Sequence, residues 1–230
     1  TCTKDYLERI LRLKPEFSEG LQGLAYSSGR SGLSPRLVGQ ALDLTQKILR
    51  GTYRYSNGEE QIVLEDGKYV KINFSSSGQQ ECVWILNLLF YYLVQQKEIL
   101  FIIEEPESHL FPESQKYITE LIALVNNCGH SIVLTTHSPY VLGTLNNLLY
   151  AKTISPQARK EANKIIRESL WLDYNAFDSW FVKNGTIENC MDADIHMIQN
   201  EKIDEISKVI NEDFERLLEL QTTNEESVVL

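Results

Sequence analysis

The sequence contains few of the residues that build disulfide frameworks or zinc sites. Its 230 residues include only 4 cysteines and 4 histidines. The cysteines, Cys2, Cys82, Cys128 and Cys190, lie far apart and form no Cys-x-x-Cys pair, so a zinc site has little support. Cys82 and Cys128 lie in apolar stretches and are interpreted as small core residues. This cysteine usage fits a reducing compartment, and we expect a cytoplasmic protein.

Long apolar runs and an excess of basic charge are also absent. The longest apolar run, Trp84 to Val94, is interrupted by Asn87 and is too short to span a bilayer, so we expect no membrane association. The formal net charge is −10, which argues against a broad basic surface that follows a phosphate backbone. Composition therefore gives no support to nucleic acid as a partner, although a local basic groove stays open.

The first fifty residues follow a helical pattern. Asp5 to Leu13 alternates apolar and charged residues at helical spacing, and Pro15 ends that segment. Residues 18–35 are rich in glycine and serine, which predicts a loop with a short helical piece. Pro35 to Leu49 predicts a second amphipathic helix that stops at Gly51.

The pattern then changes to short β-prone runs. These are Thr52 to Tyr55, Gln61 to Leu64 and Tyr69 to Phe74, separated by Asn57-Gly58 and Asp66-Gly67. Both dipeptides accept positive φ and favour tight hairpin turns. The sequence therefore predicts an antiparallel meander.

From Ser77 onward the pattern is α/β. We predict a helix from Ser77 to about Gln95, a strand from Ile99 to Ile103, a helix from Pro112 to Val125 and a strand from Ser131 to Thr135. The two strands are continuous aliphatic runs, which is typical of parallel strands buried on both faces. Polar residues follow each strand, where open α/β sheets bind their ligands.

The pattern is weaker beyond Tyr150. Gln157 to Leu170 predicts a helix, and Trp171 to Asn189 predicts strands and turns. Ile203 to Leu220 is an amphipathic helix, and Thr222 to Leu230 is expected to be a frayed tail.

Adjacent carboxylates end the first of these strands. Hydrolysis of a nucleoside triphosphate needs Mg²⁺ held against the phosphates and a carboxylate that orients or deprotonates water. Glu104 suits the metal-side role and Glu105 the water-activating role, with Pro106 ending the strand. A solvated charged turn is an equally good interpretation of this stretch alone.

Two further stretches contain polar groups that suit a phosphate. Ser77 is expected to be an N-cap, and Gly78 allows a ligand to approach the backbone at a helix N-terminus. Simple helix capping explains both residues as well. His137 follows the second strand, where it would reach a γ-phosphate or its attacking water, but an ordinary loop histidine is the safer interpretation in isolation.

Together these stretches resemble the ABC-type ATPase fold in the order signature motif, Walker B strand, D-loop and switch histidine. The matching residues are Ser76–Gln80, Glu104–Pro106, Ser108–Phe111 and His137. The run Glu-Glu-Pro-Glu-Ser-His-Leu-Phe-Pro is similar to the AAA/OLD-like ATPases, a RecF/SMC-related group often found in bacterial defence systems. The resemblance covers Ser75 to Leu149 firmly and the flanks loosely.

The sequence departs from that family in two places. Glu104 stands where most ABC proteins have Asp, although the OLD-like group commonly has Glu. No Gly-x-x-x-x-Gly-Lys-[Ser/Thr] phosphate loop occurs, and the chain begins at Thr1, so we expect the C-terminal portion of a longer ATPase that lacks the Walker A lobe. The expected organisation is a helical arm over residues 1–50, an ATPase lobe over 51–150 and an α+β extension over 151–230.

The resemblance implies ATP and Mg²⁺ as cofactors and a homodimer of heads arranged head to tail. In cis, Glu104 would hold Mg²⁺ through water, while Glu105 and His137 would be catalytic. The signature residues Ser77, Gly78 and Gln80 would meet the nucleotide of the other head, next to the D-loop residues Ser108 and His109. We expect this chain to be inactive alone.

Other functions stay open. The OLD class has a C-terminal Toprim nuclease, and Asp192 with Asp194 forms an Asp-x-Asp, but a surface turn is the better interpretation. Nuclease activity would then come from a nuclease or effector partner. The chain could instead be a non-catalytic interaction module with relic motifs. A DNA-tethering ATPase of the repair type would need long coiled-coil arms, and no sustained heptad pattern occurs.

Overall fold

The structure, a computed structural model, describes residues 2–27, 32–199 and 209–218. Seven α-helices in these ranges are numbered here in chain order: α1 Cys2–Leu13, α2 Gly20–Ser27, α3 Pro35–Leu49, α4 Ser77–Gln95, α5 Pro112–Asn127, α6 Pro139–Thr153 and α7 Arg159–Ile165. Residues 209–218 form a further helix. Short 3₁₀ helices span Lys14–Phe17, Ile72–Phe74, Glu168–Leu170 and Tyr174–Ala176. The strands are β1 Thr52–Ser56, β2 Glu59–Val63, β3 Tyr69–Lys71, β4 Leu100–Glu104, β5 Ser131–Thr135, β6 Trp180–Lys183, β7 Thr186–Asn189, β8 Met191–Asp192 and β9 Met197–Ile198. No helix within the described ranges is long and apolar enough to cross a membrane.

The predicted helices and meander of the N-terminal part are confirmed. The α3 helix is capped by Ser34, whose hydroxyl accepts the Leu37 N–H, and it ends at Arg50 in the left-handed region. Strands β1, β2 and β3 form an antiparallel sheet in that order. Asn57 and Gly58 both have positive φ in the first hairpin turn, as the dipeptide predicts.

A half-buried carboxylate joins this meander to α4. The rings of Phe17, Tyr53 and Trp84 pack edge to face, with centroids 5.7 to 5.8 Å apart. Glu60 accepts hydrogen bonds from the Tyr53 hydroxyl at 3.0 Å and the Trp84 indole at 2.8 Å, and pairs with Lys14 at 2.7 Å. Burial raises the pKa of Tyr53, and the neighbouring Glu60 charge raises it further. Glu60 therefore links three separate segments of the chain.

The α/β part contains the predicted parallel pair of strands. Strand β4 pairs with β5 in a register that runs from Leu100 opposite Ser131 to Glu104 opposite Thr135. Helix α5 packs against α3, α4 and α6. Helix α6 was not predicted from the sequence; it begins after Ser138, whose hydroxyl accepts the N–H groups of Tyr140 and Val141.

The prediction that these strands are buried on both faces is wrong for one face. The side chains of Leu100, Ile102 and Val133 are 58%, 72% and 53% exposed. Ile103, which points to the opposite face, is buried in the core. Among the described residues β4 and β5 form a two-stranded sheet, and no other strand extends it. An apolar sheet face that ends at Glu104 and Thr135 is therefore open to solvent.

The C-terminal part is less helical than predicted. Helix α7 and the 3₁₀ turn Glu168–Leu170 cover only part of residues 157–170. The predicted strands and turns that follow include the antiparallel β6–β7 hairpin, after which β8 pairs with β9. The predicted helix of residues 203–220 lies partly outside the described residues, and the predicted tail of residues 222–230 lies wholly outside them.

The buried histidine of the α5–β5 turn predicts a pH dependence of stability. His130 is 4% exposed, its Nδ1 has no hydrogen-bond partner among the described residues, and burial lowers its pKa. Below the model-peptide value of about 6.5, the unfolded chain binds a proton that the folded chain excludes. We expect the free energy of unfolding to fall as pH drops from about 6.5 towards 5. Urea unfolding at several pH values should show a smaller fall for His130→Phe, whereas His196→Asn, a change at an exposed histidine, should keep the wild-type slope.

Candidate functional site

The carboxyl ends of β4 and β5 bring two loops to one edge of the sheet. Glu104 is the last residue of β4 and lies opposite Thr135, the last residue of β5. Both side chains are exposed, on the same face as the uncovered aliphatic residues. The parallel register therefore places Glu104 and Glu105 next to the loop that contains His137.

Glu105 has a backbone conformation that non-glycine residues rarely adopt. Its φ is +43°, which costs an L-residue on the order of 1–3 kcal/mol. Its N–H donates to the Thr135 carbonyl at 3.0 Å, so the ladder continues one residue beyond the strand before the chain turns. Strained backbone of this kind is concentrated at functional sites, and no local pattern around Glu105 predicts it.

The Glu105 carboxylate is held between two predicted site residues. Its Oε1 lies 3.4 Å from Nδ1 of His137, and its Oε2 accepts the Ser108 hydroxyl at 3.3 Å. All three residues are at least partly open to solvent. The structure thus brings together Glu105, His137 and Ser108, three residues for which the sequence analysis predicted roles in one site.

The predicted N-cap of α4, the helix that contains the predicted signature residues, needs correction. Ser76, not Ser77, is the N-cap of α4, and with Gln79 it forms a capping box. Ser77 is the first helical residue and is exposed. The Gln80 amide donates to the Ser75 carbonyl at 2.9 Å. Because Ser76 satisfies the helix end, the Ser77 hydroxyl is not needed for capping.

The closest approach at Gly78 is to protein backbone. A Cβ on Gly78 would lie 2.4 Å from the carbonyl oxygen of His109, closer than such atoms can approach. His109 has a φ of +57°, and its Nε2 lies 3.6 Å from Oε1 of Glu81 on α4. Helix α4 and the loop after β4 are thus in direct contact, with room for glycine alone at residue 78.

An open cleft of about 630 Å³ lies beside these residues. Its lining residues are Glu81, Cys82, Ile85, Glu104, Glu105, Pro106, Ser108 and Thr135. Burial raises the pKa of the Cys82 thiol to about 12, so this cysteine is a core residue and not a nucleophile. Cys82, Cys128 and Cys190 all have free thiols.

The oxygen atoms in the cleft supply only some of the ligands that a hard cation needs. Mg²⁺ prefers oxygen ligands and is usually held by one or two carboxylates together with water and substrate phosphates. Glu104 with the neighbouring Thr135 hydroxyl fits that chemistry. No group of three or more His, Cys, Asp or Glu side chains within the described part of the chain could hold a metal alone. Such a metal would therefore complete its coordination with water or phosphate oxygens.

The Asp-x-Asp of the C-terminal part forms a local turn. Oδ1 of Asp192 accepts the N–H groups of Asp194 at 2.9 Å and Ile195 at 3.2 Å. This hydrogen bonding is typical of an Asx turn and agrees with the surface-turn interpretation.

Three residues around the site were not assigned a role from the sequence. Glu107, Thr136 and Gln115 connect the turn after β4 to the loop after β5 by hydrogen bonds. Glu107 lies within the Glu-Glu-Pro-Glu run, but only its burial distinguishes it from a solvated surface charge.

The chain belongs to the AAA ATPase domain family, which it matches over residues 9–142, more than half of its length. A 98-residue stretch is 31% identical to the cytochrome c biogenesis ATP-binding export protein CcmA of Bartonella quintana (strain Toulouse). That stretch covers 43% of this chain and 45% of CcmA, so the chain spans less than half the length of this relative. A structure from a study of ATP-driven dimerization and DNA-stimulated activation of SMC ATPases has a TM-score of 0.45 and 11% identity. The matched region covers 76% of this chain and 91% of the chain in that structure.

Membership of the AAA ATPase domain family and the observed architecture confirm the predicted ATPase relation and the α/β fold class. The described residues combine helices and the parallel β4–β5 pair with small antiparallel hairpins, as predicted. The expected domain boundaries stay predictions.

The contact at Gly78 predicts a specific effect of one methyl group. Gly78→Ala should lower the free energy of unfolding by about 1–3 kcal/mol, because the added Cβ would push against the His109 backbone. Gly39→Ala in the exposed part of α3 is the matched control. A Cβ there meets no atom within 4 Å, and the change should stabilise the helix by up to about 1 kcal/mol. Urea denaturation measures both values, and equal effects would contradict the close approach.

Proposed function

We propose that this chain is part of an ATP-hydrolysing head, with Glu105 and His137 as catalytic residues and Glu104 on the Mg²⁺ side. The observation that supports this most is the placement of His137 3.4 Å from Glu105, at the ends of two paired parallel strands. Membership of the AAA ATPase domain family supports nucleotide hydrolysis as the chemistry.

Glu105 and His137 have complementary parts in this proposal. The carboxylate accepts a proton from the attacking water and orients it, which is the work of a general base. The Nδ1 side of His137 faces Glu105, so Nε2 is left to face the γ-phosphate. Ser108, which donates to the other Glu105 oxygen, limits the rotation of the carboxylate.

Bound Mg²⁺ would neutralise the developing charge on the phosphates. Glu104 would hold it through water, beside the Thr135 hydroxyl. Since the sequence has no Gly-Lys-[Ser/Thr] loop, the phosphates need a cradle from a Walker A lobe outside these residues.

The exposed apolar face of β4 and β5 is the surface on which that lobe would dock. Because successive side chains of a strand point to opposite faces, Leu100, Ile102 and Glu104 all lie on the exposed face of β4. A protein element that covers the two aliphatic side chains would therefore lie beside Glu104. A lobe that buries this face would bring its phosphate loop to the metal-side carboxylate.

Two heads would act together. Ser77, Gly78 and Gln80 of one head would meet the nucleotide of the other, in a head-to-tail homodimer, with Ser108 and His109 of the D-loop beside them. The exposure of Ser77 and Gln80 supports this role, because neither side chain is used in the core.

Removal of the general base tests the proposed mechanism. In the full-length protein, Glu105→Gln should lower the rate of ATP hydrolysis by at least about 100-fold while ATP still binds. The trapped ATP state should be dimeric in light scattering after gel filtration. Glu161→Gln, at an exposed ion pair with Lys164, is the matched control and should hydrolyse ATP at the wild-type rate. Full activity of Glu105→Gln would contradict the assigned role.

The need for a separate phosphate cradle predicts that these 230 residues alone bind Mg-ATP negligibly and do not hydrolyse it. Isothermal titration calorimetry checks this, with the full-length protein as the positive control. A micromolar dissociation constant for the 230-residue chain would contradict the proposal. If the full-length protein also fails to bind ATP, a role as a non-catalytic interaction module becomes the better proposal than ATP hydrolysis.

A further inference from the structure

Glu107 is a buried carboxylate with few partners. It is 3% exposed, and one of its oxygens, Oε2, has no hydrogen-bond partner among the described residues. A carboxylate removed from water costs several kcal/mol unless cations or hydrogen bonds compensate it. The described part of the chain gives Glu107 no ion pair. The burial of Glu107 therefore calls for a reason other than stability.

The other oxygen of Glu107 binds the loop after β5. Oε1 accepts the Thr136 hydroxyl and, at 3.3 Å, the backbone N–H of His137. The Thr136 hydroxyl in turn accepts the Ser138 N–H at 3.0 Å. One carboxylate thus fixes the backbone on both sides of His137.

A second set of hydrogen bonds, made by Gln115, holds the same loop at Ser138. The Gln115 amide donates to the Leu110 carbonyl at 2.9 Å, and its carbonyl oxygen accepts the Ser138 hydroxyl at 2.6 Å. Glu107 and Leu110 bracket the D-loop residues Ser108 and His109. The loop of His137 is therefore attached to both ends of the D-loop.

We propose that Glu107 is a positioning residue that sets the place of His137 opposite Glu105, through Thr136 and the His137 backbone, without touching the nucleotide. This rests on the proposed function of His137. Hydrogen bonds to an ionised acceptor are roughly twice as strong as neutral ones, so a carboxylate holds this short loop more firmly than an amide would. Displacement of the imidazole by about 1 Å is enough to cost about 100-fold in rate.

Hydrogen exchange tests the hydrogen bonds between Glu107 and the loop after β5 independently of catalysis. In the full-length protein, Glu107→Ala should speed exchange at the amides of His137 and Ser138 by about tenfold or more. The His137 N–H loses its acceptor, and the Thr136 hydroxyl, which accepts the Ser138 N–H, loses the carboxylate that holds it. Exchange in α5 should stay as in the wild type. Glu107→Gln keeps an acceptor oxygen and should stay closer to wild type. Glu113→Ala, which removes an exposed carboxylate paired with Arg50, is the control and should leave residues 136–138 unchanged.

Kinetics then test the positioning role. Glu107→Ala should lower kcat for ATP about 100-fold with little change in KM, and Glu107→Gln should restore much of the loss. If the alanine variant does not fold, Thr136→Val removes the bridging hydroxyl at nearly constant volume and should act in the same direction. Wild-type kcat despite faster exchange, or unchanged exchange at residues 136–138, would overturn the inference. Absence of ATPase activity in the wild type would overturn the proposed function, while the exchange result would still decide whether Glu107 holds the loop.

Discussion

The parallel pairing of β4 with β5 is the constraint on which the candidate site depends. Its register sets Glu104 beside Thr135, and one further backbone hydrogen bond carries the pairing to Glu105. The next residues of both strands must then leave the sheet at the same edge. A slip of one residue would turn Glu104 to the opposite face and would separate Glu105 from His137. The site is therefore a consequence of strand register.

Two inward-facing carboxylates join segments that are distant in sequence. Glu60 binds Lys14, Tyr53 and Trp84, so its charge has a cation and two neutral donors. Glu107 has no ion pair in the described chain and binds a hydroxyl and an amide of one loop. The first arrangement compensates its buried charge well and suits a structural role. The second compensates it poorly, which is why we assign it to the site and not to the core.

Much of the fold could be predicted because the local signals agreed. Pro35, Gly51 and the Asn57-Gly58 turn mark the ends of elements, and the structure follows them. The contacts between elements could not be predicted, since periodicity gives no partner for a side chain. The predicted N-cap, Ser77, was wrong because serine also stands at residue 76, and it is Ser76 that has the extended backbone of the cap. The aliphatic runs of β4 and β5 indicated burial on both faces, but burial depends on neighbours that a single strand does not encode.

The Walker A lobe that we propose would account both for the open face of β4 and β5 and for the small number of metal ligands in the cleft. Burying an aliphatic side chain contributes about 1.5–3 kcal/mol, and Leu100, Ile102 and Val133 are each more than half exposed. A lobe that covers them gains part of that free energy as docking energy. Because side chains alternate along a strand, the same face presents Glu104 and Thr135 at its end. In the proposed function, docking of the lobe on the apolar part would also bring its phosphate loop to the polar end, so assembly of the head would be coupled to formation of its nucleotide site.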